Sequence, residues 1–255
     1  METAPVLAVT CLAFESRCAA GFGVKVVCAS GPAQLRTEIE ATIAGAGCRS
    51  IISFGVAGGL DATLSPGDWV IASSVVGEAR RFAVDLAWAR LLRAALPRAA
   101  YADILGVDLP VVGPAEKRML RQRHGTAAVD TESHIAAMVA EQRGLPFAAV
   151  RVVLDPAWRT LPPAALVPLR PGGVPDVPNV MRSLCQKPAQ LGELVRITAD
   201  TARALIALAR GRRLLGDRLG FAGADEPRFT AATEPLPDAV APPVRVRATT
   251  VVRRR

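Results

Sequence analysis

The chain is short of aromatics, of lysine and of histidine. Phe, Trp and Tyr make up 4% of its 255 residues, with a single Tyr, and only two residues are His. Lys25, Lys117 and Lys187 are the only lysines among 31 basic residues, so arginine carries most of the net charge of +8. Proteins that bind nucleic acid combine a basic face with aromatics on which bases stack. Here the aromatics are few, and the excess charge sits late, at Arg203, Arg210, Arg212, Arg213 and Arg253–Arg255. Nucleic acid is therefore set aside as a partner. The late arginines suit a solvated, disordered tail or attraction to an anionic membrane surface.

Other absences narrow the class further. The five cysteines (Cys11, Cys18, Cys28, Cys48 and Cys185) are an odd set with no Cys-x-x-Cys spacing. That excludes a disulfide framework or a zinc site, gives no metal centre, and points to the reducing cytoplasm. No apolar run reaches the ~18 residues that a membrane-spanning helix needs. The apolar stretch from Pro5 to Phe14 lacks a basic leader and follows Glu2, so it reads as a first buried strand and not as a signal sequence. No internal repeat is present.

What the chain does have is apolar content, 51% of its residues, enough for a sizeable core in one large α/β domain. Strand-like runs at Val6 to Thr10, Val24 to Cys28, Tyr101 to Val107, Ala127 to Asp130 and Phe147 to Leu154 alternate with helical patterns. The helices fall at Gln34 to Ala44, Val84 to Leu96, Ala115 to Arg123, Glu132 to Arg143 and Gln190 to Leu215. This alternation predicts a single domain with a central mixed or mostly parallel sheet flanked by helices. The domain is expected over 1–219, with a Pro- and Arg-rich disordered tail over 220–255. In the long last helix Leu191, Leu194, Val195, Thr198, Ala202, Leu205, Ile206 and Ala209 recur at helical spacing and form the expected buried face. The proline-rich stretch from Pro156 to Pro188 has no clear periodicity and reads as a lid or surface loop.

The segment Ile51 to Ser73, IISFGVAGGLDATLSPGDWVIAS, organises the chain. Its apolar run enters Gly55-Val56-Ala57-Gly58-Gly59, which reads as a glycine loop whose backbone N–H groups can approach an anion or a sugar. A dinucleotide fingerprint would open a helix directly after the glycines. Turn residues and a second strand follow instead, so a Rossmann cofactor is excluded. Three carboxylates, Glu15, Glu132 and Asp155, fall just past strand ends, where α/β sheets place their chemistry. Each also has a structural reading: a solvated loop residue for Glu15, a first-turn helix acid for Glu132 and a turn former before Pro156 for Asp155. His134 reads as a satisfied helix histidine.

The order of these motifs resembles the nucleoside phosphorylase and nucleosidase superfamily, which splits purine nucleosides at the N-glycosidic bond. The matching residues are Gly55-Val56-Ala57-Gly58-Gly59-Leu60 with Pro66-Gly67-Asp68, then Val129-Asp130-Thr131-Glu132, then Pro146-Phe147 through Arg151-Val152-Val153-Leu154-Asp155. The resemblance covers about residues 5 to 155. It implies that Asp155 protonates N7 of the departing purine, that Glu132 and Thr131 contact the ribose, and that Glu15 activates the attacking water. It also implies that Gly55, Val56, Ala57 and Gly58 lie beside the nucleophile, with Arg17 as the candidate cation for an anion there. No cofactor is implied, and inorganic phosphate is the candidate co-substrate. Thr131 stands where the family usually has Met, Val56 where many members have Ser or Thr, and Leu154 where Ser is usual.

The segments Ser53 to Leu60, Glu132 to Ala137 and Leu154 to Leu166 are similar to the hopanoid-associated branch of that superfamily. This implies removal of adenine from adenosylhopane in hopanoid biosynthesis, by phosphorolysis or hydrolysis. Methylthioadenosine/S-adenosylhomocysteine nucleosidase is the alternative enzyme, and a non-catalytic adenosyl-lipid binding protein the alternative of another class. The implied setting is cytoplasmic, with peripheral contact at the inner membrane face, a small-molecule or lipid-linked nucleoside substrate and a homo-oligomeric assembly.

Overall fold

The computed structural model describes residues 4–29, 31–168, 170, 172–187 and 191–223. The arginine-rich stretch after residue 223, expected to be disordered, lies outside the described residues.

The first strand, β1 (Val6–Thr10), is buried along its whole length, as a continuous apolar run should be when both faces are covered. Helix α1 (Ala13–Ala19) leads to β2 (Val24–Cys28), and α2 (Pro32–Ala46) leads to β3 (Ser50–Gly59). Then come β4 (Trp69–Val76), the short β5 (Arg81–Ala83), α3 (Leu86–Ala95) and β6 (Ala100–Gly106). Helix α4 (Pro114–His124), β7 (Ala128–Asp130), α5 (Ser133–Arg143) and β8 (Phe147–Asp155) complete the part that carries the sheet. A 3-10 turn at Pro163–Leu166, α6 (Val177–Gln186), α7 (Leu191–Leu215) and a last turn at Asp217–Gly220 follow.

All eight strands join one mixed sheet, in the order β2-β1-β3-β7-β6-β4-β5, with β8 paired to both β3 and β4. That double pairing closes β3, β7, β6, β4 and β8 into a ring. Strand β8 runs parallel to β3 and antiparallel to β4. The expected α/β class with a mixed sheet is what the chain adopts, and helices cover the sheet's faces.

Three expectations differ from the fold. Gly55 to Gly59 form no loop; they are the end of β3. Gly58 and Gly59 pair antiparallel with β7, while β8 runs alongside through Asp155, with a register shift between Ala57 and Gly58. A Cβ on Gly58 would lie 3.3 Å from Val129 Cγ1 and 3.3 Å from Asp155 Oδ2, so the glycine permits a close approach on both sides.

The buried face of α7 also differs. Ile197, Asp200, Ala204, Leu208, Gly211 and Leu215 face inward, whereas Val195, Thr198, Ala202 and Ile206 are exposed. At Gly211 the helix lies close against the sheet: a Cβ there would fall 2.2 Å from the Trp69 ring. The helix expected over Val84 to Leu96 is found as α3, Leu86–Ala95, whose N-cap Asp85 accepts from Trp88 N. Within 156–188, where the sequence has no clear period, α6 and the 3-10 turn are found.

Candidate active site

Glu15 sits in the first turn of α1, immediately past the end of β1, and folds back over that end. Its Oε2 accepts from the backbone N–H of Cys11 and of Leu12, each at 2.8 Å, and its Oε1 accepts from Val56 N–H at 2.7 Å. Gly55 makes this possible, since a Cβ there would lie 2.4 Å from Glu15 Oε1. The carboxyl is fully buried. Burial pushes its pKa up to about 7; Arg151 and the N–H donors of Leu12 and Val56 oppose the rise, and Glu132 adds to it.

Glu132 caps the start of α5. Its Oε2 meets Arg151 Nη2 at 3.1 Å, and its Oε1 accepts from the Thr131 hydroxyl. Asp130 Oδ1 accepts from the N–H groups of Glu132 and Ser133 at 3.1 and 2.8 Å, while its Oδ2 lies 2.8 Å from Arg151 Nε. The Arg151 guanidinium, on β8, is completely buried. Burial would lower its pKa, but Asp130, Glu132 and Glu15 outweigh that and raise it, so the cation is permanent. Between Glu15 and Glu132 lies the Cys11 thiol, pushed up by burial and by both carboxylates, which removes it as a nucleophile.

Asp155 is the last residue of β8. The register shift sets it opposite Gly58, and a Cβ on that glycine would lie 3.3 and 3.5 Å from the two carboxyl oxygens. Burial pushes the carboxyl up, and Lys117 opposes the rise. The Lys117 side chain, on α4, is fully buried, with its ammonium 2.5 Å from Asp155 Oδ2.

Glu15, Glu132, Thr131, Asp155, Val56, Ala57 and Gly58 all line one cavity of about 520 Å³. Gly55 lies behind Glu15 and is not part of the wall. Arg17 is not brought to the site: it is exposed on the outer side of α1, its Nε donating to Ala13 O at 3.3 Å. Glu15 and Arg17 stand two positions apart on α1, about half a helical turn, so one points inward and the other outward, and the guanidinium near the carboxylates is that of Arg151. His134 meets Asp108 through Nε2, 3.0 Å from Oδ1, but its buried Nδ1 has no hydrogen-bond partner among the described residues, so the expected satisfied histidine is only half satisfied.

Sequence reasoning missed Lys117 and gave Arg151 no role. The available signal was rarity, a lysine in a chain that otherwise uses arginine. Five carboxylates line the cavity (Glu15, Asp108, Asp130, Glu132 and Asp155), and among the described lining residues none is Lys, Arg or His. The rest of the lining is largely apolar, with Ala29, Pro32 and Leu35 from the start of the chain and Leu109, Val111, Leu161 and Leu166 from later segments. Such a cavity can give a proton to a leaving group, accept one from water, and surround a developing cation with negative charge.

The phosphorylase superfamily matches the chain over residues 17–165. No curated protein matches it. Among solved structures, a Helicobacter pylori 5′-methylthioadenosine/S-adenosyl homocysteine nucleosidase, complexed with a substituted pyrrolidin-3-ol, superposes with a TM-score of 0.60 at 14% identity, over 86% of this chain and 99% of that one. Futalosine hydrolase of the same organism gives 0.54 at 14%, over 81% and 97%. An S-adenosylhomocysteine nucleosidase from Streptococcus pyogenes gives 0.56 at 13%, over 82% and 97%. At these identities the likeness is one of fold.

Proposed function

The chain belongs to the phosphorylase superfamily, and from that premise we propose that it cleaves the N-glycosidic bond of an adenosyl nucleoside and releases adenine. The observation that carries the reading is the convergence of Glu15, Glu132 and Asp155 on one cavity. Glycosidic cleavage passes through an oxocarbenium-like state, in which the base must be neutralised and the sugar's positive charge balanced. In this reading Asp155 delivers the proton to N7 of the base, and Glu132, held by Arg151 and Thr131, grips the ribose hydroxyls and faces the cationic sugar. Glu15, with a pKa of about 7, takes a proton from the attacking water.

Water is favoured over phosphate as the nucleophile. A phosphate dianion would need a cation or several free N–H donors; the described wall offers neither Lys, Arg nor His, and the Val56 N–H is already taken by Glu15. The finer substrate is adenosylhopane, placing the enzyme in hopanoid biosynthesis. Support comes from the apolar walls, where Leu109, Leu161, Leu166 and Val167 can receive a hydrocarbon 5′ substituent. The same walls, on a smaller scale, would take the methylthio group of methylthioadenosine.

The test is adenine release by the purified protein from adenosylhopane in detergent, methylthioadenosine and S-adenosylhomocysteine, each with and without inorganic phosphate. The expected result is phosphate-independent release, fastest from adenosylhopane. Turnover of methylthioadenosine alone would overturn the lipid substrate, strict phosphate dependence would overturn hydrolysis, and binding of all three without release would overturn the enzyme.

A further inference from the structure

Lys117 is one of three lysines in the chain, and its side chain is completely buried. An isolated ammonium in that position would be costly, so its partners explain why it is there. Nζ donates to Asp155 Oδ2 at 2.5 Å and to the carbonyl of Pro156 at 3.0 Å, with the carbonyls of Asp155 and Arg159 each at 3.3 Å. The turn after β8 is thus wrapped around the ammonium, and Arg159 N–H closes it on Pro156 O at 2.9 Å. Helix α7 fastens the turn from outside, since the Arg159 guanidinium holds Asp200 Oδ2 through Nε at 3.0 Å and Nη2 at 2.6 Å. Asp200 is also met by Arg203 Nη1, at 3.2 Å.

All three ammonium protons are therefore committed to the protein, and Lys117 is absent from the cavity wall that Asp155 helps to form. It does not meet a ligand. We propose that Lys117 is a positioning residue for the leaving-group acid: it holds Asp155 by Oδ2, so that Oδ1 carries the proton to the base, and it stabilises the carboxylate left behind. This rests on the reading of Asp155 as that acid. In the step, the C1′–N9 bond breaks with its electron pair going to the base, and the Asp155 proton moves to N7, so adenine leaves neutral. Water adds to C1′ and gives its proton to Glu15. The lysine keeps all three of its protons throughout, and solvent returns the proton from Glu15 to Asp155.

The groups facing the Asp155 carboxyl are Lys117 from α4 and, more weakly, the Asp200 carboxylate from α7. Of these only Lys117 favours the carboxylate. Removing it leaves burial and Asp200 opposed only by the backbone hydrogen bond at Asp155 itself, so Asp155 holds its proton to higher pH but is a weaker donor.

The experiment compares Lys117→Met, Lys117→Gln and Asp155→Asn with the unaltered full chain. Adenine release is followed across pH on adenosylhopane or methylthioadenosine, whichever turns over faster, and 4-nitrophenyl riboside, whose leaving group departs without protonation, is the control. For both lysine variants the expected loss in kcat on the nucleoside is about 10-fold, with the alkaline limb displaced upward by roughly one pH unit and the nitrophenyl riboside within about 2-fold of the unaltered enzyme. Gln keeps a donor for the carbonyls if Met fails to fold. An unchanged pH profile in the lysine variants while Asp155→Asn is inactive would overturn the positioning role and leave the acid assignment standing. Equal losses on both substrates would reduce Lys117 to a structural role and overturn the inference as well. Full activity in Asp155→Asn would instead overturn the acid itself.

Discussion

Glu15 is under two opposed demands. Three backbone N–H groups bind its carboxylate form, yet its complete burial favours the protonated one, and burial wins. Its pKa rises from 4.5 to about 7, so between those values the folded chain binds a proton that the unfolded chain has lost. The resulting stabilisation is full below 4.5 and vanishes as pH rises through about 7. Thermal midpoints should therefore fall over this window in the unaltered protein and lose that component of the slope in Glu15→Gln. If Glu15 is the base for water, kcat/KM should rise toward about pH 7 with the same group, and Glu15→Gln should lose turnover by ~10² or more. A rate profile flat from pH 5 to 8 would remove Glu15 from the chemistry. Glu15, Glu132 and Asp155 were legible because acids at strand ends stand out against an apolar sequence. Arg17 is near Glu15 in sequence, but a spacing of two positions, about half a helical turn, puts it on the opposite side. Arg151 and Lys117 gave little local signal, since burial of a cation depends on carboxylates brought in from distant elements.

At the scale of elements, glycine shows both what sequence can and cannot tell. The Gly55 to Gly59 cluster reads in sequence as backbone approaching an anion or a sugar; the close approaches in the fold are to the Glu15 and Asp155 carboxyls, and they occur inside a paired strand. The Gly172-Gly173 turn in the proline-rich segment carried no expectation, yet it reaches the site. Gly173 has φ +72°, its carbonyl accepts from Ala13 N–H at 3.0 Å, and a Cβ on it would fall 2.3 Å from Cys11 O and 2.7 Å from Ala13 N. A second pin lies at Leu161, whose N–H donates to Val112 O at 3.0 Å. The segment between these pins supplies Ala165, Leu166, Val167 and Pro168 to the cavity wall. Gly173→Ala should release one pin, through a strained backbone and a clash together costing about 1–3 kcal/mol locally. The expected outcome is a KM raised several-fold with kcat nearly unchanged, and faster proteolytic cutting between residues 167 and 176. A substitution that leaves both unaltered would show that the segment does not hold the wall.

For the molecule as a whole, alternation of strand and helix was enough for the α/β class, because each element's own period reports its local environment. Closure of the ring was not legible: the pairing of β8 with both β3 and β4 depends on residues about eighty to a hundred positions apart, for which a single sequence holds no local mark. Nor was the end of the packed body. The fold does not stop at residue 219; Phe221 lies against Trp88 with ring centroids 4.7 Å apart. The buried Trp88 indole N–H donates to Leu219 O at 3.0 Å, and Arg218 Nη2 reaches Ala4 O at 3.2 Å, which ties the end of the described chain to its beginning. Every described residue lining the cavity, by contrast, falls between Cys11 and Pro168. Ending the chain after Gly223 should therefore leave turnover of a dispersed substrate and the thermal midpoint unchanged. Ending it after Gly216 strips the acceptor from a buried indole, about 1–3 kcal/mol, and removes an aromatic pair worth roughly 0.5–1.5 kcal/mol more. For a body of this size the midpoint should fall by roughly 5–15 °C, while kcat well below the new midpoint stays near that of the full chain. Loss of turnover on the first truncation would mean that the arginine-rich stretch belongs to the site, and the single cavity would no longer account for the activity.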